Sequence, residues 1–375
     1  MILVGVCGIA LILVVLWEGF ETIILPRRVT RRFRLTRLFY RRTWLAWAHV
    51  VNWFVPEQRQ DTFLSFFGPL SLLMLLSIWA DCLIVGFALL HFTIGSIVLI
   101  HDGNTGLLTD LYLSATTFFT LGLGDVIPAN GMARFLVVIE SGMGFGFLAL
   151  VIAYFPALNQ SFSRREVNIS LLDARAGSPP TATEMLRRHA HEQGMKALQQ
   201  LLHEWERWSA DFLEGHLSYP VLAYFRSQHD NQSWLAALTA ILDTCALVMV
   251  GVEGACERQA ELTFAMARHA LVDLSLVFIT KPQEIKHDRL SPEKLVELRA
   301  VLAAAGIKLQ EEGAELRLAE LRRMYEPYLQ ALASYFRLVV PPLVGEQNPD
   351  NWQASNWERS PAGKKPYEKG KGKHF

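Results

Sequence analysis

The sequence predicts an all-α membrane protein: three transmembrane helices with a re-entrant pore helix and filter, plus a helical cytoplasmic domain. Three observations carry that expectation. Apolar residues gather into three long runs. The loop before the second run is crowded with arginine, whereas the loop before the third holds no Lys or Arg. The second half of the chain follows a helical rather than a strand rhythm.

The 375 residues leave room for more than one domain, and 36 Lys plus Arg balance 36 Asp plus Glu, so net charge gives no case for a nucleic-acid partner. A hydrophobic share of 51% against 19% charged excludes disorder of the chain as a whole. Cys7, Cys82, Cys245 and Cys256 are scattered, with no CxxC pair and no metal-ligand spacing to His. They read as small buried hydrophobes, and no cofactor is expected.

Residues 2–25 form the first run, interrupted only by Glu18 and Glu21 near its far end, and are long enough to cross a bilayer as a helix. With no basic stretch ahead of it and no small-x-small cleavage site, this run reads as a span rather than a signal peptide. The second run, 63–92, carries one charge, Asp81, and the third, 131–158, carries Arg134 and Glu140. Between them, 101–130 is too poor in apolar residues to span. The positive-inside rule places the arginine-rich segment 26–61 in the cytoplasm. The N-terminus and the 101–130 loop then lie outside, everything after Leu158 is cytoplasmic, and the protein is multi-pass in the plasma (inner) membrane.

Arg28, Arg31, Arg34 and Arg37 recur every third residue, the spacing of a voltage-sensing helix, but Arg32, Arg41 and Arg42 lie off that stripe and Pro26 precedes it. The stretch from Arg27 to Arg42 reads instead as a juxtamembrane amphipathic helix on anionic headgroups, with Leu35, Leu38, Phe39, Trp44 and Trp47 dipping into the interface. Glu18 and Glu21 are expected to pair with Arg27 and Arg28.

Within the outer loop, 107–119 is a short helix candidate, followed by Thr120-Leu121-Gly122-Leu123-Gly124-Asp125. Glycine at alternate positions opens backbone conformations that turn consecutive carbonyls toward one axis, where they can replace a cation's water. The helix before them would point its negative dipole end and the Thr120 hydroxyl at that cation. A tight turn between two helices is the plainer reading of Gly122 and Gly124, and the flanking Thr120, Asp125, short helix and spans argue against it.

Here the chain resembles the potassium channel family, in the pore module of a bacterial-type single-pore-loop channel, over residues 62–158. The resemblance implies outer helix, pore helix, filter and inner helix. It implies that Thr120, Leu121, Gly122, Leu123 and Gly124 form the ion-binding filter for potassium ions, supported by Asp125, Tyr112 and Thr116, with Gly144 at the inner-helix hinge beside Gly142 and Gly146. One filter motif per chain implies a homotetramer. The family's usual filter has Val and Tyr where this chain has Leu121 and Leu123, although leucine at the tyrosine position occurs in some two-pore members. The missing tyrosine hydroxyl makes cation conduction a firmer expectation than strict potassium selectivity. Glu140 is a possible pore acid, facing the conduction path or packed behind the filter.

Gly122 to Asp125 also spell the GxGD signature of intramembrane aspartyl proteases, and Pro156-Ala157-Leu158 their PAL motif. That chemistry needs two carboxylates sharing a proton; Asp81 is the partner on offer, on three spans where the protease fold uses about nine. A membrane-anchored helical scaffold without transport is the other alternative.

Residues 159–345 read as helical, with a breaker at Ser178-Pro179-Pro180, a capping box from Thr181 to Glu184 and a start at Ser291-Pro292-Glu293. Helices are expected at 184–213, 232–252, 254–280, 292–304 and 308–340. The run 234–252 is apolar enough for a fourth span, but Asp243 in its middle argues for the buried helix of a bundle. His189, His191 and His203 read as solvated. The tail, 346–375, carries Lys364, Lys365, Lys369, Lys371 and Lys373 and reads as a disordered basic tail near anionic lipid.

Overall fold

A computed structural model describes residues 1–25, 34–95, 97–99, 106–191, 193–228, 231–251, 256–284, 288–307 and 313–345. Arg27, Arg28, Arg31, Arg32 and the whole of 346–375 lie outside the described residues. Among the described residues the fold is all-α apart from two three-residue strands. Two compact units emerge: Met1–Arg164 with Glu214–Arg226, and Arg165–Leu213 with Ser227–Phe375. The first thus includes Glu214–Arg226, a segment whose composition reads as part of the cytoplasmic half.

In the first unit, α1 (Ile2–Gly19) continues through a π-helical turn at Phe20–Ile24. The combined 23 residues reach about 35 Å, enough to cross a bilayer. α1 packs along α4 (Phe67–Ile94) through small residues: a Cβ on Gly8 would sit 2.7 Å from the Gly86 carbonyl oxygen, so neither helix can carry a side chain at the crossing. α4 ends at Gly95, whose φ of 62° closes the helix in the left-handed region.

The arginine-rich region begins α2 (Leu35–Phe54), and it begins there because Glu18 supplies the cap that Arg34 cannot. The buried Glu18 carboxylate accepts from the amides of Leu35 (3.2 Å) and Thr36 (3.0 Å) and from the Thr36 hydroxyl (2.8 Å). An anion at a helix N-terminus satisfies orphan donors and opposes the dipole. Glu21 accepts from Trp17 Nε1 at 2.9 Å and lies 3.7 Å from Arg34 Nε, so Arg34 is its described partner.

α2 buries Thr36, Tyr40, Trp44, Ala48 and Val51, one helical stripe. Trp44 therefore does not dip into lipid as expected; its ring sits 5.0 Å from Phe67 and 5.4 Å from Tyr224, where two protein partners fill the space. Tyr224 also stacks on Tyr40 at 5.8 Å. It lies in Pro220–Tyr224, a 3₁₀ turn within Glu214–Arg226. Phe225 covers Gly68 of α4, and Arg226 pairs with Asp61 of α3 (Glu57–Ser65) at 2.7 Å, so this segment is tied down by aromatic and ionic contacts.

After α4 come β1 (Ile97–Leu99), α5 (Leu107–Phe118), β2 (Val126–Pro128) and α6 (Gly131–Ala176). The strands pair antiparallel with Val98 opposite Ile127. α6 starts where Asn130 Oδ1 accepts from the Ala133 amide at 2.8 Å, and about 20 of its 46 residues suffice to cross a bilayer.

The second unit contains α7 (Ala182–Arg188), most of α8 (Gly194–Ser218), α9 (Trp234–Gly251), α10 (Glu257–Val277), α11 (Pro292–Ala304), α12 (Ala314–Arg323) and α13 (Glu326–Phe336). The helix expected over 184–213 is two, because the chain turns at Gly194, where a Cβ would collide with the His189 carbonyl oxygen. That expected over 308–340 is also two: Pro327, lacking an N–H, belongs in a first turn and starts α13. The capping box is half formed. Thr181 Oγ1 accepts from the Glu184 amide at 3.3 Å, but the Glu184 carboxylate is taken by Arg187 (2.8 Å) and Arg188 (2.6 Å). Ser291 caps α11 through the Lys294 amide at 3.4 Å.

α9 is long and apolar enough to cross a membrane, yet it is buried within this unit almost throughout. Asp243 explains why such a helix suits a protein core: both its carboxylate oxygens lie 2.8 Å from the Arg289 guanidinium, and the Tyr325 hydroxyl donates to it as well. Arg289 also reaches Glu326 at 2.9 Å and the Pro341 carbonyl at 3.0 Å. Burial alone would lower the Arg289 guanidinium; the charge and hydrogen bonds of Asp243, with Tyr325 and Glu326, outweigh it and hold the group above the usual arginine range. His189 is a further correction. It is buried, with Nδ1 2.7 Å from the Met185 carbonyl, because the turn at Gly194 folds it inward, whereas His191 and His203 are exposed.

Arg289→Leu leaves the buried Asp243 without its cation, whereas Glu326 keeps Arg322 at 2.9 Å, and should cost about 3–5 kcal/mol in a urea titration, while Asp243→Leu combined with Arg289→Met should cost less than either single change. Burial first, then Arg175, His191 and Arg188, lower His189 despite its bond to Met185, so the folded chain resists its protonation. Stability contributed by neutral His189 is present above an unfolded pKa of about 6.5 and lost as pH falls below it, and the acid-side loss in thermal melts should shrink in His189→Gln.

Candidate functional site

α5 is short because Gly106 starts it and the Thr-rich end stops it. The Thr109 and Asp110 amides donate to the Gly106 carbonyl, and at the far end the Thr120 amide donates to Thr117 (3.0 Å) and the Leu121 amide to Thr116 (2.7 Å). One face of α5 is buried through Asp110, Leu113, Ser114, Thr116, Thr117 and Phe118. Its C-terminal end rests on α6 at Gly144, where a Cβ would overlap the Phe118 carbonyl oxygen. That contact accounts for the glycine by close packing. α6 runs as one helix through Gly142, Gly144 and Gly146, with open space beside Gly142 and Gly146.

Directly after α5 the backbone alternates in hand. Thr120 has φ 59°, Gly122 55° and Gly124 80°, while the intervening Leu121 and Leu123 stay out of the left-handed region. In an ordinary strand successive carbonyls point to opposite sides; a left-handed residue at every second position allows them to share one. Thr120 takes this strained conformation without glycine's freedom, a cost of about 1–3 kcal/mol that clusters at functional sites. Residues 120–125 are all exposed in the protomer, Leu121 by 62% and Leu123 by 66%. Tyr112 donates its hydroxyl to Asp125 Oδ2 at 2.9 Å, pinning the outer end of this stretch to α5. Thr116 is buried and donates to the Leu113 carbonyl at 3.0 Å.

Glu140 is fully buried on α6, packed inside the protomer rather than open to a path. Its Oε2 lies 3.3 Å from His91 Nε2 of α4, and its Oε1 hydrogen-bonds Ser114 Oγ of α5. Ser114 Oγ also bonds the Ile84 carbonyl of α4 at 2.7 Å. Asp110 is buried nearby in the first turn of α5 and interacts electrostatically with His91. Sequence reasoning named Glu140 but missed His91, Ser114 and Asp110; a histidine and a serine in apolar helices, opposite a buried acid, were the available signal.

Asp81 is exposed on α4, and the bond described for Asp125 goes to Tyr112, so these two acids do not form a proton-sharing pair. Among the described residues no cluster of His, Cys, Asp and Glu has the makings of a metal site.

Gly144→Val would push its side chain into the Phe118 carbonyl and should lower the thermal stability of the detergent-purified protein by about 1–3 kcal/mol, the usual penalty of overpacking.

Residues 83–160 match the sequence model of a family described as ion channel. The chain is also 23% identical, over 195 residues, to an uncharacterized membrane protein YdjJ of Bacillus subtilis (strain 168), an alignment covering 50% of this chain and 55% of that protein. It thus spans about half the length of the curated relative it matches. No solved structure matches. The matched stretch runs from Leu83 on α4 through α5 and the alternating backbone to Gln160 on α6, so the part of the chain that resembles the ion-channel family model coincides with the geometry just described.

Proposed function

We propose that the protein is a homotetrameric, potassium-selective channel whose filter is the backbone of residues 120–124. The observation that carries the reading is the left-handed φ at Thr120, Gly122 and Gly124, at the end of a short helix held between two membrane-length helices. Irregular backbone at membrane depth is stable only when it is buried in protein or lines a watery path. Four such stretches around an axis would line that path with oxygens able to replace an ion's hydration shell.

Thr120, Leu121, Gly122, Leu123 and Gly124 present those oxygens, and the Thr120 hydroxyl adds one at the inner end. Tyr112 and Asp125 brace the outer end, which compensates in part for leucine at position 123, a residue with no hydroxyl to bond α5. The apolar face of α6, with Phe135, Val138, Phe145, Leu148 and Ile152 exposed in the protomer, is the surface that neighbouring copies and lipid would cover. Arg41 and Arg42, exposed on α2, would meet anionic headgroups on the cytoplasmic side. The N-terminus would then lie outside and the second unit in the cytoplasm, as the arginine asymmetry requires.

Purified protein in liposomes under a potassium gradient should conduct, with flux abolished by Gly122→Asp; flux that survives this change removes the backbone from the conduction path. Tyr112→Phe deletes one hydrogen bond, worth about 0.5–1.5 kcal/mol, and should lower the potassium-to-sodium permeability ratio by up to about tenfold, read as a shift in reversal potential.

A further inference from the structure

The contacts at Ser114 count protons. Its Oγ hydrogen-bonds two oxygens, the Ile84 carbonyl at 2.7 Å and Glu140 Oε1. A hydroxyl has one hydrogen to give, and a carbonyl can only accept. If Ser114 donates to Ile84, its contact with Glu140 is bonding only when the carboxyl brings the hydrogen. The other carboxyl oxygen, Oε2, then accepts from His91 Nε2 at 3.3 Å.

We infer that Glu140 is a positioning residue of the pore, held as the neutral acid, and that its proton completes a relay tying α4, α5 and α6 together behind the filter. In the relay His91 Nε2–H donates to Glu140 Oε2, Glu140 Oε1–H donates to Ser114 Oγ, and the Ser114 hydroxyl donates to the Ile84 carbonyl. The titratable groups facing it are His91 from α4, Asp110 from α5 and Glu140 itself from α6. Loss of the Glu140 proton leaves an acceptor facing Ser114, whose single hydrogen turns to the carboxylate and abandons Ile84. The side-chain link between α5 and α4 is then broken one helical turn before the buried end of α5 that carries the filter. Flux through the pore therefore falls as the medium becomes alkaline. The inference rests on the reading of residues 62–158 as a pore.

Two measurements on the full-length protein in liposomes test it. Infrared spectra at neutral pH should show the carbonyl stretch of a neutral buried carboxylic acid, absent in Glu140→Gln and retained in Asp110→Asn. Glutamine keeps a donor for Ser114 and an acceptor for His91 but has no proton to lose, so Glu140→Gln should conduct with a flat pH profile where wild-type flux is lost on alkalinisation. A conducting protein with no such band, as an ionised Glu140 paired with protonated His91 would give, overturns the relay and leaves the pore standing. A Glu140→Gln protein that keeps the wild-type pH profile does the same. A band assigned to Glu140 without flux at any pH overturns the pore and leaves the relay. Should Glu140→Gln fail to assemble, Ser114→Ala removes the acceptor while keeping the acid, and must shift the band; an unshifted band overturns the relay.

Discussion

Backbone amides and carbonyls at membrane depth have no water to fall back on, and that constraint organises the first unit. α1, α4 and α6 meet it as helices, whose backbone bonds close on themselves. Residues 120–125 cannot meet it that way. They are exposed in the protomer, with left-handed backbone at every second position. A path filled with water and ions, shared with other copies, is the environment that completes them on the proposed reading. The supports around them follow from the same need: Gly144 lets α6 approach the end of α5, and Tyr112 braces Asp125.

Three buried acids show how one residue type is made tolerable in three ways. Glu18 is held by backbone amides at the start of α2 and so serves as that helix's cap. Asp243 is met by a bidentate guanidinium and a tyrosine hydroxyl in the core of the second unit. Glu140 lies between a histidine and a serine on two other helices. A buried carboxylate without partners costs several kcal/mol, so each arrangement fixes the elements that supply the partners. The cost is local, and so is the specificity it confers.

Much of this was legible in the residues. Long apolar runs had to become helices: 2–25 and 63–92 placed α1 and α4 to within a few residues, and 131–158 placed the start of α6, which continues as one helix to Ala176 once its apolar run has ended. Asp243 told a core helix from a span because a lone charge is expensive in lipid and cheap beside arginine. The alternating glycines located the backbone that turns left-handed. Other features were hidden because they depend on which surface meets which. Trp44 looks like an interfacial aromatic until Phe67 and Tyr224 close over it, and nothing in the residues around Glu18, read as a partner for Arg27 and Arg28, shows that the first turn of α2 will arrive beside it. Glu214–Arg226 joins the first unit through Tyr224, Phe225 and Arg226, contacts with residues far away in the chain.

What the sequence by itself determined is periodicity and composition: which stretches are apolar enough to leave water, where glycine frees the backbone, and where charge forbids burial in lipid. Those properties are local, set within a few residues by sterics and hydration. Only the tertiary structure decided the partners of each buried polar group, because the contacts of Glu140 with Ser114 and His91 need three helices packed to within a few tenths of an ångström. Such distances follow from packing across the fold, and no short stretch of chain contains them.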